Sequence, residues 1–226
     1  VHIDVPIAVA TAAADDYPWQ RAALEPVQVA DVTLFLQRAK RKLREFKYSG
    51  EINTSGYAAA DMTILSEHIT QGGMVDMAYQ QEPDSIVWMI RNDDQLIGMT
   101  YRREEQVIAW HEHLLGGEST VDSVDYDYGF VESVATIPGD LNEDDIYIVV
   151  NRTIDGATKR YIEYFSEFDF GTDVKDAHFM DCGLTYSGGE VTSVSGLDHL
   201  EGQTVKVIAD GAAHPDKVVA SGSVSL

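Results

Sequence analysis

The sequence predicts a mainly-β fold: antiparallel meanders of a partial β-propeller with one short helix, followed by a small β-barrel. Short apolar runs at 84–91, 95–101 and 107–113 are split by polar turns, the first being Asn92-Asp93-Asp94, which is the pattern of a β-meander. Within the first run Ile86, Trp88 and Ile90 point to one face while Val87 and Met89 point to the other. Both faces are apolar, so both must be covered, as they are where sheets stack in a propeller. After residue 170 the aromatic strands give way to shorter, smaller β-prone pieces, which suit a closed barrel without exposed edges.

In chain order, the run 31–36 holds residues that fit a pleated sheet. It leads into a basic cluster of Arg38, Lys40, Arg41, Lys42, Arg44 and Lys47. Phe35, Ala39, Leu43 and Phe46 recur at nearly helical spacing, the mark of a basic amphipathic helix, but the alternation of Val32, Leu34 and Leu36 favours a β-hairpin. A short helix is expected from Asp61, a good N-cap, through the stripe Met62, Leu65 and Ile69 to the stop Gly72-Gly73. His68 on it reads as packing or solvated.

The meander 84–113 comes next, and a second is spelled by 131–138, 145–152 and 158–165. Asp155-Gly156 between its last two runs is a strong hairpin signal, and the spacing loosely repeats the first meander. Alternation predicts Trp88, Trp110, Ile148 and Ile162 to be buried. A boundary near 172 would then divide a meander or partial-propeller domain, 1–172, from a small barrel, 173–226.

The 226 residues suffice for one large or two small domains with real cores. The sequence starts at Val1 with strand-like text at both ends, and is read as a piece of a longer protein. A single Cys182 leaves no internal disulfide framework, and no apolar run approaches the ~18 residues of a membrane helix, so a soluble protein without membrane partners is expected. With 38 acidic against 16 basic residues the formal charge is −22. The stretch 118–145 contains Glu118, Asp122, Asp125, Asp127, Glu132, Asp140, Glu143, Asp144 and Asp145 without one Lys or Arg. Such a field repels nucleic acid and keeps subunits soluble.

The stretch 56–70, which runs Gly-Tyr-Ala-Ala-Ala-Asp-Met-Thr-Ile-Leu-Ser-Glu-His-Ile-Thr, together with 78–84, Met99-Thr100-Tyr101 and Ala109-Trp110-His111, resembles tail structural proteins of short-tailed bacteriophages and prophages. The runs 131–135 and 160–163 fit the same family, and the resemblance covers roughly 30–170. It implies a tail nozzle or hub protein, built on a β-propeller, that closes the DNA exit channel beneath the portal in a homo-oligomeric ring. Its neighbours would be adjacent tail, portal or adaptor proteins. DNA would pass without sequence recognition, and the protein would be made in the host cytoplasm and reside in the virion tail. The segments 196–202 and 209–216 are similar to the small barrel inserted in such proteins, which resembles in fold the first catalytic-cysteine half-domain of ubiquitin-activating enzymes. No adenylation motif or partnered catalytic cysteine accompanies that likeness, so no ubiquitin chemistry is carried over.

Other chemistry is thinly signalled. His111 and His113 share one face of a strand, a pair metals can use, but no third ligand has suggestive spacing. Cys182 with His178 four residues upstream reads as a buried free thiol rather than a nucleophile. The expectation is therefore no catalytic set, no cofactor and no metal, and a protein that is not an enzyme. Two function classes remain: a structural tail component lining or closing the DNA channel, and a tail-associated glycan-binding or depolymerising protein. In the first, Asp122, Asp125, Asp127 and Asp144 would face the lumen, while Arg38 through Lys47 would meet a partner subunit or a phosphate backbone.

Overall fold

The computed structural model describes residues 24–48, 56–121, 123–139, 142–165, 172 and 184–226. Two compact units form: one from the described residues of Val1–Leu114, Val131–Val150 and Ile162–Phe165, the other from those of Leu115–Phe130, Asn151–Tyr161 and Ser166–Leu226.

In the first unit β1 (Val27–Val29), β2 (Val32–Leu36), β3 (Leu43–Tyr48) and β4 (Tyr57–Asp61) make one antiparallel sheet in sequence order. The basic cluster is thus on a hairpin, with Leu36 opposite Leu43 at the start of its turn. β5 (Met74–Gln80), β6 (Ile86–Arg91), β7 (Leu96–Arg102) and β8 (Val107–His113) make the second sheet, also in sequence order. Asp94 supplies the left-handed residue of the β6–β7 turn, at φ 61°, and Arg91 N donates to Gln95 O across it.

The two sheets share a core. Val32, Leu34, Leu36 and Leu43 meet Val87, Met89, Ile97, Met99 and Tyr101, each set occupying alternate positions on its strands. The opposite face of the second sheet carries Trp88, Ile90 and Leu96, also buried. Trp88 stacks on Phe165 with centroids 5.2 Å apart. Asp94 O accepts from Val131 N, Glu82 O accepts from Asp144 N, and the Asp76 carboxylate accepts from the Ser133 hydroxyl and Val134 N. Burial on both faces, expected from the alternation in β6, is therefore met.

The third sheet, β11 (Phe130–Pro138), β12 (Asp144–Ile154) and β13 (Ala157–Tyr164), contributes strand segments to both units. Asp155-Gly156 joins β12 to β13 as expected, with both residues at positive φ, 50° and 67°. That geometry suits a right-twisted two-residue hairpin, and glycine adopts it without a Cβ penalty.

The second unit contains the ribbons β9 (Ser119–Val121) with β10 (Val124–Tyr126), β14 (Ser193–Ser195) with β17 (Ser223–Ser225), and β15 (Thr204–Ala209) with β16 (Ala212–Val218). Leu197, Val219 and Val224 form a small buried cluster. Glu201 holds the final turn by accepting from Ser221 N and Gly222 N, at 2.9 and 2.8 Å.

Three expectations fail. First, among the described residues no sheet closes into a propeller or a barrel. Among the described residues no further strand pairs with β1 and β4 or with β5 and β8 at the edges of the two meanders, β15 alternates between exposed and half-buried residues, and β16 is mostly exposed. With Ile208 and Val218 facing solvent, too little apolar volume points inward to fill a barrel.

Second, the helix at 61–72 is a chain of turns. Asp61 ends β4, and its carboxylate does cap locally, accepting from Thr63 N and Thr63 Oγ1. The bonds that follow, Ser66 N to Thr63 O, Ile69 N to Ser66 O and Gly73 N to Thr70 O, span three residues rather than four. β-Branched Thr63, Ile64, Ile69 and Thr70 disfavour a helix. The presumed stripe also splits, since Ile69 is buried while Leu65 is 90% exposed. Third, Trp88 and Ile148 are buried and Trp110 is half-buried, but Ile162 lies on the outer face of β13, 78% exposed.

Candidate functional site

The six cations of the basic cluster divide into two groups. Lys42 pairs with Asp61 at 2.8 Å and Glu67 at 3.2 Å, Arg44 donates to Gln37 Oε1 and Ala59 O, and Lys47 pairs with Glu45 at 3.3 Å. These three brace the sheet. Burial works to raise the Asp61 carboxyl, but hydrogen bonds from Lys42 and Thr63 outweigh it and hold Asp61 below its ordinary range.

Arg38, Lys40 and Arg41 instead occupy the turn, exposed, and among the described residues no carboxylate pairs with them. Main-chain bonds fix that turn. Gln37 N donates to Lys42 O, Lys40 N to Gln37 O and Met74 N to Lys40 O, while Lys40 takes φ 60°. A cavity of about 300 Å³ adjoins the turn, lined by Gln37, Ala39, Arg41, Lys42, Glu67 and Thr70.

The acids divide similarly. Glu118, Asp125, Asp127 and Glu132 are exposed. Asp144 is half-buried and accepts from Gln81 N at 2.6 Å and Glu82 N at 3.3 Å, so its carboxylate is part of the scaffold. Asp122 lies outside the described residues, as do Cys182 and His178.

One polar network was not legible in the sequence. Tyr101, buried, donates to Glu45 Oε2 at 2.5 Å. Glu45 also faces Lys47, and Arg103 bridges from Glu45 to Asp31. Burial and the Glu45 carboxylate push the Tyr101 hydroxyl far above its ordinary value, while the Arg103 hydrogen bond lowers Asp31. A second cavity of about 300 Å³ lies here, lined by Glu45, Lys47, Tyr101, Arg103, Gln106 and Ile108. The alternation Leu43, Glu45, Lys47 on one face of β3 was the available signal, since a charge beside a core leucine must find partners.

The expected histidine pair does meet. His111 Nδ1 and His113 Nε2 are 2.6 Å apart, and Thr100 Oγ1 lies 3.3 Å from His111 Nε2. Burial lowers the pKa of His111. Among the described residues no group of three or more His, Cys, Asp or Glu side chains is placed to hold a metal, and no helix is long and apolar enough to cross a membrane.

No protein-family model matches this chain, and no curated protein matches it.

Proposed function

We propose that this chain is a structural subunit of a bacteriophage tail, of nozzle or hub type, that packs beside other tail subunits and lines or closes the channel by which DNA leaves the particle. The resemblance over roughly 30–170 suggests it. The observation that carries it in the molecule is the disposition of charge. Glu118, Asp125 and Asp127 of the second unit are exposed within a stretch lacking any Lys or Arg, while half-buried Asp144 is tied into the scaffold of the first. A wall of like charge keeps a passing duplex from sticking.

A glycan-binding or depolymerising protein requires a cleft where two acids converge between aromatic walls. The two cavities described above, among the described residues, hold one acid each, Glu67 or Glu45, and that acid is paired with Lys42 or Lys47. An antibody against the chain should label the tail in electron micrographs of particles carrying it. In those particles Glu118→Gln, Asp125→Asn and Asp127→Asn together should slow DNA release with assembly intact. Label confined to the capsid would refute the tail assignment, and ejection at the normal rate would refute the acidic channel wall.

A further inference from the structure

Among the described residues of the first unit, charges without a partner are unevenly placed along the strands. β2 enters the turn carrying Arg38, Lys40 and Arg41, and Lys40 O accepts from Met74 N where β5 begins. The β6–β7 turn lies at that same end, because Asn92 N donates to Gly73 O. The β5–β6 and β7–β8 turns therefore lie at the other end, as does the β1–β2 turn, whose Asp31 meets Arg103. At that end Arg102 is taken by Asp84 and Arg103 by Asp31 and Glu45. Glu82, Glu104 and Glu105 are left exposed there, and among the described residues no cation pairs with them. Among the described residues the β2–β3 turn at one end thus presents three unpaired cations, with the unpaired carboxylate of Asp94 on the β6–β7 turn at the same end, and the turns at the other end present three unpaired carboxylates.

We propose that these two ends bind each other between copies: the β2–β3 turn of one molecule docks on the β5–β6 and β7–β8 turns of the next. This rests on the assembly reading above and adds the surfaces that meet. The cavity beside the basic turn, about 300 Å³, has room for an incoming carboxylate side chain. Arg41 presents a planar fork that suits a carboxylate bidentately. Thr70 in its lining is 1% exposed, and among the described residues its hydroxyl has no partner. Glu67, the one acid in its lining, shares Lys42 with Asp61. Different surfaces meet, so the contact is heterologous and builds rings or open chains rather than a closed two-fold dimer.

The test is light scattering on the full chain at about 50 mM and about 500 mM salt. Wild-type protein should self-associate, roughly tenfold more weakly at high salt. A variant with Arg38→Glu, Lys40→Glu and Arg41→Glu should stay monomeric, as should one with Glu82→Lys, Glu104→Lys and Glu105→Lys. An equimolar mixture of the two should associate again, and circular dichroism of each should match wild type. Wild-type mass in either variant alone, or no association on mixing, overturns the end-to-end contact while leaving assembly by another surface standing. Wild-type protein that stays monomeric throughout overturns both. Unchanged self-association together with loss of binding to a short fluorescent duplex in the first variant assigns the turn to phosphate and overturns the contact.

Discussion

Trp88 and His111 meet edge to face across Gly98, their ring centroids 5.8 Å apart. The three residues form one row over β6, β7 and β8, Trp88 opposite Gly98 and Gly98 opposite His111. A Cβ on Gly98 would stand 2.2 Å from His111 Cε1, so the missing side chain is what lets two rings close over the strand between them. Gly98→Ala should therefore destabilise the protein by about 1–3 kcal/mol through overpacking, read from urea unfolding followed by tryptophan fluorescence. Adding His111→Ala should recover part of the loss. A Gly98→Ala protein as stable as wild type would contradict the row.

Protonation should weaken the same cluster. Burial lowers His111 from its ordinary 6.5, so below that value the unfolded chain binds a proton that the folded chain refuses. Stability present above 6.5 is then lost as pH falls, and the 2.6 Å contact between His111 Nδ1 and His113 Nε2 needs an acceptor at one of the two nitrogens. The raised carboxyl of Asp94, half-buried near Glu132 and Asp93, acts in the opposite sense, so the informative quantity is the difference between wild type and His111→Gln. Unfolding free energies at about pH 7.5 and about pH 5.5 should fall less in the variant. Equal slopes would argue against a half-buried His111 that resists protonation.

Tyr101→Phe should cost about 1.5–3 kcal/mol, the range for a hydrogen bond to a charged group, because Glu45 would stay buried with one partner fewer. Glu45→Gln keeps the shape and an acceptor, and should cost less than Glu45→Ala. Chemical denaturation of the four proteins settles the order.

Asp144 and Asp125 should behave differently although both belong to the acidic stretch. Asp144→Ala leaves Gln81 N and Glu82 N without their carboxylate and should destabilise by about 1–3 kcal/mol. Exposed Asp125, whose carboxylate accepts from Thr120 Oγ1, should change stability by about 0.5 kcal/mol or less. Equal losses in thermal unfolding would count against this division of roles.

The strands were legible wherever apolar residues alternated over five or more positions, as in β2, β6 and β7, and the Asp155-Gly156 turn was legible from its dipeptide alone. Closure was not, because a strand pattern fixes which face is apolar but not whether the last sheet returns to the first. The turn chain at 62–73 read as a helix because Met62, Leu65 and Ile69 have the right spacing. Tertiary contacts decided otherwise: Trp110 Nε1 donates to Met62 O and Arg91 to Ile69 O, taking carbonyls that a helix would have used internally. The division of the basic cluster was hidden for a similar reason, since which lysine finds an acid depends on strands far apart in the chain, such as Lys42 with Asp61.

A sheet buried on both faces is the last part of its unit to open. β6 and β7 have a neighbouring strand on each edge and side chains covered above and below, so solvent reaches their amides only after an outer layer has lifted away. Their slowest-exchanging hydrogens report the global unfolding free energy of that unit, while the amides of β1 and of the 62–73 turns report smaller, local openings.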